Sequence, residues 1–355
     1  MIDSLPPGII ATMLAVLSLG SAIGLALLLT RAAHRSTRSQ RRNHAGEMVR
    51  LLSARLSGQV ASSALRRAAR ETEAQAFWDA IEAISSSLRL RERHELARSL
   101  DRSKHVKEAR RRLREEDDAK REIAARRLGL LPSKRSRTTL RRALVLGPEG
   151  VTLAAARSLG AHRDASALRW LLLHPERVGS RPIGSLSGLF RSFGPAGRAL
   201  MVAALERGVP HARVECAMMD ALGLSRCRSA RGAMEQRLLR GPLEARISAA
   251  RSLGRLAMLE STPALMGALY DEAWPVRAQA AQALGRMRAT PAVDALVECV
   301  ADRSWWVRHH AAYALAGIGP EGRDALCELV TDSPDPFARE MAREALDRGW
   351  VRKTA

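Results

Sequence analysis

A motif that recurs at equal intervals in the C-terminal third of the chain constrains the fold more than any other feature. The motif reads PVRAQAAQALG, WVRHHAAYALA and FAREMAREALD over residues 275–285, 306–316 and 337–347. We call the interval from Arg277 to Arg308, which is repeated from Arg308 to Arg339, one repeat period. Periods of roughly 20 to 50 residues are typical of arrays in which each unit buries its apolar face only against its neighbours. The sequence therefore predicts a repeat array rather than a chain of independent domains.

Copies of the motif extend towards the N-terminus. RISAARSLG ends at Gly254, TLAAARSLG at Gly160 and REIAARRLG at Gly129, and weaker copies lie between them. Each copy is followed by a turn and a second apolar segment, such as TPAVDALVECVAD over residues 290–302. Eight first helices are predicted, and they begin near residues 117, 149, 183, 211, 243, 275, 306 and 336.

The apolar residues inside each copy have helical spacing. In the unit that begins at Pro275, the residues predicted to be buried are Val276, Ala280, Ala283 and Leu284. Gly285 is predicted to end this helix, since glycine commonly follows a helix C-terminus. Hydrophobic residues make up 46% of the chain but aromatic residues only 3%, so alanine and leucine supply most of the apolar content. This composition favours an all-α fold.

The pattern D-x-x-x-x-V-R-x-x-A-A-x-A-L-G resembles the short bacterial HEAT-like repeats of the PBS-lyase type. The match is nearly complete in DEAWPVRAQAAQALG from Asp271 and good in DRSWWVRHHAAYALA from Asp302. Two units depart from it, because Leu186 and Glu215 occupy the arginine position. The resemblance covers residues 115–348. It implies an α-solenoid of about eight helix pairs that serves as a scaffold for protein partners.

The resemblance also implies a role for the acidic and basic residues of each unit, which stack into a ladder between units in related repeats. A buried arginine needs such a partner, because an unpaired buried charge is costly. The predicted ladder pairs are Asp271 with Arg277, Asp302 with Arg308, and Asp332 with Arg339.

An uncharged stretch from Ile9 to Leu29 is long enough to cross a membrane as a helix. Basic residues follow it, which places the N-terminus outside and the rest of the chain in the cytoplasm. Two roles stay open for these side chains, enforcing topology or binding anionic lipid headgroups. The lipid-binding candidates are Arg31, Arg35, Arg38, Arg41 and Arg42. Gly20 and Gly24 form a GxxxG motif that would suit a homo-oligomer.

The domain organisation follows from these features. We predict a transmembrane anchor over residues 1–30, a basic juxtamembrane segment over 31–60, a helical region of degenerate or capping repeats over 61–116, the HEAT-like solenoid over 117–348 and a tail over 349–355.

Catalytic signals are missing from the sequence. It contains no phosphate loop, HExxH, GxSxG or GxGxxG motif. The four cysteines are far apart and lack zinc spacing, and His309 and His310 point to different helical faces. We therefore expect no enzyme activity, no catalytic residue, no cofactor and no metal.

The formal charge of +21 suggests nucleic acid as an alternative partner. The charge is uneven, however, because residues 31–143 carry +16 and residues 144–355 only +6. The expected anchor and the low charge of the regular repeats argue against a nucleic-acid-binding HEAT-like protein. A bilin lyase-type enzyme is a third reading that rests on the family name alone.

Aromatic residues concentrate in the last three units. Trp274 and Trp305 are one repeat period apart, Trp306 adjoins the latter, Phe337 follows at the matching position, and Tyr313 lies two turns after Trp306. These residues either pack between repeats or form an exposed row that binds a partner, since Trp and Tyr dominate interface hot spots.

Together these features predict a membrane-anchored cytoplasmic scaffold or adaptor. Its partners would be membrane-associated proteins at the inner face of the cell membrane, for example in a complex of envelope or polysaccharide assembly.

Overall fold

The computed structural model of the protein describes residues 40–351, and its regular secondary structure over that range is helical, without a β-strand. The helices there are twenty α-helices and four short 3-10 helices. Contacts between helices divide this part of the chain into two units. Unit 1 holds α1 to α5 and residues 130–136, and unit 2 holds the rest of α6 and α7 and all of α8 to α20.

Unit 1 is a small helical unit with its own apolar core. Its helices are α1 (residues 40–56), α2 (Ser62–Glu71), α3 (Ala74–Ser85), α4 (Leu90–Leu100) and α5 (Lys104–Arg112). The core contains Leu65 of α2, Phe77 and Ile81 of α3 and Leu100 of α4, all almost completely buried. The aromatic ring of Phe77 lies 4.7 Å from the ring of His105 in α5, which ties these helices together.

Unit 2 is a series of helix pairs. The first helices of the pairs are α6 (Asp118–Leu130), α8 (Glu149–Ala161), α10 (Ile183–Ser192), α12 (Ala212–Leu224), α14 (Leu243–Leu256), α16 (Trp274–Met287), α18 (Trp305–Ile318) and α20 (Pro336–Val351). The second helices are α7 (Lys134–Leu146), α9 (Ala165–Leu173), α11 (Gly194–Arg207), α13 (Arg231–Arg240), α15 (Thr262–Ala268), α17 (Val293–Val300) and α19 (Pro320–Asp332). The 3-10 helices are Pro175–Arg177, Arg228–Ala230, Leu259–Ser261 and Thr290–Ala292. Each first helix begins at its predicted start or at the position next to it.

The helix register agrees with the sequence pattern. The predicted stripe of Val276, Ala280, Ala283 and Leu284 is buried along α16. Their apolar side chains face the neighbouring helices and supply the main stabilisation of a repeat array, since burying apolar area contributes about 25 cal/mol per Å².

Gly285 has a different role from the one predicted. A Cβ atom on Gly285 would lie only 2.6 Å from Cα of Ala314 in α18, and one on Gly254 would lie 2.8 Å from Cα of Ala283 in α16. These glycines let consecutive first helices approach closely, so the prediction that Gly285 ends α16 is wrong. The helix continues to Met287, and Arg288 then ends it in the left-handed conformation with a φ of 52°.

The predicted membrane features need correction. The proposed span over residues 9–29, Gly20, Gly24 and the lipid-binding candidates Arg31, Arg35 and Arg38 lie outside the described residues. Between residues 40 and 351, no helix combines the length and the apolar character that a membrane crossing requires. The last helix, α20, has 16 residues and is rich in charge, whereas a crossing needs about 20 mostly apolar residues. This finding contradicts the predicted localisation as a single-pass inner-membrane protein with a cytoplasmic solenoid.

Candidate functional site

The candidate site lies along one edge of unit 2, where the loop from each second helix leads into the next first helix. We call this edge the loop edge. Trp274 and Trp305 are the first residues of α16 and α18, and the carboxylates of Asp271 and Asp302 accept hydrogen bonds from backbone N–H groups just before them. These bonds fix the turns, so the indoles leave the helix starts in defined directions.

Four aromatic side chains on this edge, which we call the aromatic row, are exposed. Trp274 and Trp305 are each 45% exposed, Trp306 is 52% exposed and Phe337 is 61% exposed. By contrast Val307, directly after Trp306, is completely buried. About half of each of these side chains is in contact with water, and exposed aromatic patches are typical of interaction sites.

Part of the aromatic row rests on a stack of rings along α18. The indole of Trp305 packs edge-on against Trp306 at 4.9 Å and lies parallel to the imidazole of His309, also at 4.9 Å between ring centroids. His309 in turn contacts the ring of Tyr313 at 4.4 Å. Tyr313 is half-buried, and its hydroxyl lies 3.3 Å from Glu344 of α20. The predicted site residue Tyr313 therefore supports the row rather than belonging to its exposed surface.

Burial affects the titration of this stack. Desolvation lowers the pKa of His309, and the nearby charge of Arg348 lowers it further, whereas the carboxylate of Glu344 raises it. Desolvation lowers the pKa of His310 as well. Both imidazoles therefore favour the neutral form, which suits close contact with aromatic rings.

The ladder residues lie directly beneath the aromatic row. The guanidinium of Arg277 donates from Nε and Nη2 to the two carboxylate oxygens of Asp302, at 2.8 and 3.0 Å, so the pair joins one unit to the next. Arg246 makes the equivalent pair with Asp271, at 2.9 Å. Each aspartate therefore pairs with the arginine of the preceding unit and not with the arginine of the helix that follows it.

Among the described residues, Arg308 and Arg339 have no such carboxylate partner. Arg308 donates from Nη1 to the carbonyl oxygen of Asp302, and Arg339 donates from Nη1 to that of Ser333. The third predicted ladder acid, Asp332, is exposed at the end of α19 and lies beyond ion-pair distance of both arginines. The guanidinium of Arg308 lies instead over the ring of Phe337, at 5.4 Å.

The remaining lipid-binding candidates lie in α1 of unit 1, away from any element of the loop edge in sequence. The side chain of Arg41 is paired with Glu73 at 3.4 Å, and Arg42 is exposed. Neither residue lies in the same unit as the aromatic row.

Other apolar residues on the loop edge were not predicted from the sequence. They lie at or near the ends of the second helices and are more exposed than the tryptophans, at 67% for Leu146, 77% for Leu173, 75% for Leu239 and 63% for Tyr270. Leu239 and Tyr270 are one repeat period apart, which is the signal that could have revealed them. Leucine at a helix end does not draw attention in a leucine-rich chain.

The buried thiols of unit 2 are poor nucleophiles. Burial raises the pKa of Cys299 to about 12 and raises that of Cys216 as well, so both stay protonated at neutral pH. The cysteines at positions 216, 227, 299 and 327 are all free. In the described part of the chain, no group of three or more His, Cys, Asp and Glu side chains is placed to hold a metal ion.

Comparison with known proteins supports the repeat assignment. The profile of the HEAT repeats matches residues 233–316 and 262–347, which include the aromatic row and the ladder. No protein of curated function matches the sequence. Among solved structures, an engineered protein is 18% identical over 86% of this chain and 99% of that chain, with a TM-score of 0.36.

Two other solved structures are similar at the same level. Kap121p bound to Nup53p is 12% identical over 96% of this chain and 45% of that chain, with a TM-score of 0.48. The complex of CpcE and CpcF of phycocyanin lyase from Nostoc sp. gives 19% identity over 68% and 94%, with a TM-score of 0.30. These likenesses are weak, so the assignment rests on the matched residues and on the helix pairs. Residues 233–347 are therefore HEAT-like repeats.

Proposed function

We propose that this protein is a scaffold that binds protein partners through the aromatic row on its loop edge. The observation that carries the proposal is the exposure of Trp274, Trp305 and Trp306, each close to half or more, at helix starts that follow the repeat period. Tryptophan, tyrosine and arginine are the residues most enriched at interface hot spots. All three residue types occur on the loop edge, where Tyr270 and Arg308 accompany the tryptophans.

The rigidity of the edge favours binding. Side chains at the first turn of well-packed helices lose little conformational freedom when a partner docks, which lowers the entropic cost of association. The indole of Trp305 is restrained further because it stacks on His309, which in turn contacts Tyr313. The repeat spacing offers successive anchors of the same kind, which suits an extended segment or a helix of a partner.

The proposal assigns this edge to binding rather than to catalysis. The aromatic row and the arginines beside it consist of indoles, a phenyl ring and guanidinium groups, and a guanidinium does not lose its proton at neutral pH. Such groups recognise apolar and acidic side chains, but they do not act as nucleophiles or general bases.

Site-specific crosslinking of the full-length chain in its native cells tests the proposal. A photo-crosslinking residue, p-benzoylphenylalanine, replaces Trp274 in one variant and Leu259 in the control. Leu259 is 61% exposed, but it lies in the turn between α14 and α15, at the other end of its helix pair. We expect a protein adduct from position 274 and none from position 259. Equal adducts at both positions, or no protein adduct at position 274, would overturn the proposal.

A further inference from the structure

We call each arginine of the ladder, together with its hydrogen-bond partners, a rung. One rung in the last repeats is complete and shows which hydrogen-bond partners an arginine at this position needs. The Nη1 of Arg277 donates to the carbonyl oxygens of Asp271 at 2.8 Å and Glu272 at 3.1 Å, in the loop before its own helix. Its Nε and Nη2 take the carboxylate of Asp302 from the next unit. The planar fork of the guanidinium matches a carboxylate in this bidentate geometry.

The rung of Arg308 has the first half of this arrangement without the second. Its Nη1 donates to the carbonyl oxygens of Asp302 at 2.9 Å and Arg303 at 3.4 Å. Ser333 stands one repeat period after Asp302, so the next unit supplies no carboxylate at that position. The Nε of Arg308 is buried and has no hydrogen-bond partner among residues 40–348. A buried donor left unpaired is costly, which gives this group an intrinsic demand for an acceptor.

The terminal unit repeats the pattern. The Nη1 of Arg339 donates to the carbonyl oxygens of Ser333 at 2.6 Å and Pro334 at 3.2 Å. Within the described range of side chains, no carboxylate forms an ion pair with Arg308 or Arg339, although Arg277 has one such partner and Arg246 has two. The carboxylate of Asp335 accepts a hydrogen bond from the backbone N–H of Phe337 at 2.9 Å and forms no ion pair with either arginine among the described residues. Among the described residues, both arginines therefore bind backbone carbonyl oxygens and no carboxylate, and we call such a rung open.

The open rungs lie at the aromatic row. Arg308 directly follows Val307 on the helix that begins with Trp305 and Trp306, and its guanidinium contacts the ring of Phe337 at 5.4 Å. A partner segment that covers these aromatic groups would bring its own side chains close to the guanidinium of Arg308.

We infer that the loop edge binds a protein segment in which a carboxylate lies beside apolar side chains, and that Arg308 takes this carboxylate in the way that Arg277 takes Asp302. The inference rests on the proposed function and names the chemistry of the partner. A carboxylate is favoured over a nucleic-acid phosphate because the same fork already holds one in the preceding rung. Exposed acids on this edge, Glu272 and Asp332, would also repel a polyanionic backbone.

One pair of matched variants tests the geometry without any partner. Ser333→Asp offers an internal carboxylate to Arg308, and Ser333→Asn has nearly the same shape without the charge. We expect Ser333→Asp to unfold at a higher temperature than Ser333→Asn, with the difference vanishing when Arg308→Gln is added. Equal unfolding temperatures would show that position 333 does not face the guanidinium, and this would overturn the inference.

The same variants test recognition in the full-length protein. The probes are fluorescent synthetic peptides in which Leu, Phe or Trp anchors flank a Glu or Asp, each made with a Gln or Asn twin. Fluorescence polarisation should give the acidic peptide an affinity about tenfold higher than its amide twin for the parent and for Ser333→Asn, as for a hydrogen bond to a charged group. Ser333→Asp should remove this preference.

The outcomes separate the inference from the proposed function. If acidic peptides and their twins bind equally and both need Trp306, the inference fails and the proposed function stands. If no peptide binds, or binding is indifferent to Trp306→Ala, both fail. A single-stranded DNA oligonucleotide that displaces the acidic peptide at lower concentration than the unlabelled peptide itself would replace the inference with nucleic-acid binding.

Discussion

The regular units from α14 to α20 and the divergent units from α10 to α13 hold their charges in different ways. In the regular units Arg277 pairs with Asp302 of the next unit at 2.8 Å. In the first divergent unit the arginine position is occupied by Leu186, which is buried. In the second it is occupied by Glu215, which accepts a hydrogen bond from Arg237 at 2.6 Å. At the arginine position, the charge is therefore negative in the unit of Glu215 and absent in the unit of Leu186.

The two regions nevertheless stack through the same close approach. A Cβ atom on Gly223 of α12 would lie 3.1 Å from Cα of Ser252 in α14, and one on Gly285 would meet Ala314 in the same way. The difference teaches that helix stacking depends on small residues and buried apolar groups, and that the ladder can vary without loss of the fold. In the last units, the residues at the ladder positions can therefore bind a partner without loss of the fold.

The largest expected effect comes from breaking the apolar contact between units. Leu284→Asp places a carboxylate at a completely buried position, where neither water nor a cation reaches it. We expect a loss of more than about 4 kcal/mol in the free energy of unfolding, measured by urea denaturation. The matched variant Leu259→Asp changes a leucine that is 61% exposed and should have little effect. Similar losses in the two variants would mean that the register of α16 is wrong.

The reversed pair of the divergent region should come next in size. Glu215 is 5% exposed and is the carboxylate partner of Arg237, so Glu215→Ala leaves a half-buried guanidinium without its carboxylate and with a hydrogen bond to the carbonyl oxygen of Leu205. We expect a loss of about 3 kcal/mol, whereas the exposed Glu206→Ala should be nearly neutral. If Glu215→Ala is as mild as Glu206→Ala, the divergent units do not depend on their own charge pair.

Two glycines give opposite predictions for the same change. A Cβ on Gly285 meets Ala314 of α18, so Gly285→Ala should destabilise the protein by about 1–3 kcal/mol through overpacking. Gly188 lies inside α10 with nothing within 4 Å of such an atom, so Gly188→Ala should stabilise it by about 0.4–1 kcal/mol. Thermal unfolding of both variants tests the difference, and a shift of the same sign in both would contradict it.

The smallest expected effect is a pH dependence confined to the regular units. The folded protein lowers the pKa of His309 mainly by desolvation, so the unfolded chain binds more protons as the pH falls. The stability that His309 contributes is complete above its unfolded pKa of about 6.5 and is lost as the pH falls towards its folded pKa. The free energy of unfolding between pH 7 and pH 5 should therefore decrease less steeply in His309→Gln. An unchanged slope would mean that His309 is not desolvated.

The repeat pattern predicted the fold closely because helix positions follow from local periodicity. The Val-Arg pairs and the Ala-Ala-x-Ala-Leu pattern place the buried face, so the predicted starts of α16 and α18 fall next to the observed ones. The termination of α16 could not be predicted in the same way. Arg288 adopts a left-handed conformation that is rare for arginine, and Gly285 has a packing role that only the neighbouring helix reveals.

The position of the aromatic row could be predicted from the sequence for a related reason, whereas its binding role stays a prediction. Aromatic residues at repeat spacing are visible in the sequence, and the structure places the residues of the aromatic row on one edge. The exposed leucines at the ends of second helices are not visible, because the sequence does not show which end of a helix faces water. The open rung at Arg308 is a missing contact. The repeat period aligns Ser333 with Asp302, but only the structure shows that each arginine pairs with the aspartate of the next unit.

Binding of a protein partner by the aromatic row is the central claim, and one measurement tests it most directly. Trp305→Ala and Trp306→Ala are made in the full-length protein that carries the crosslinking residue at position 274, and the unfolding temperature and crosslink yield are measured together. We predict that Trp306→Ala leaves the unfolding temperature nearly unchanged and abolishes the protein adduct, because hot-spot truncations cost about 2 kcal/mol or more in binding. If both variants lower the unfolding temperature by several degrees and leave the adduct intact, the indoles are packing residues and the claim is wrong.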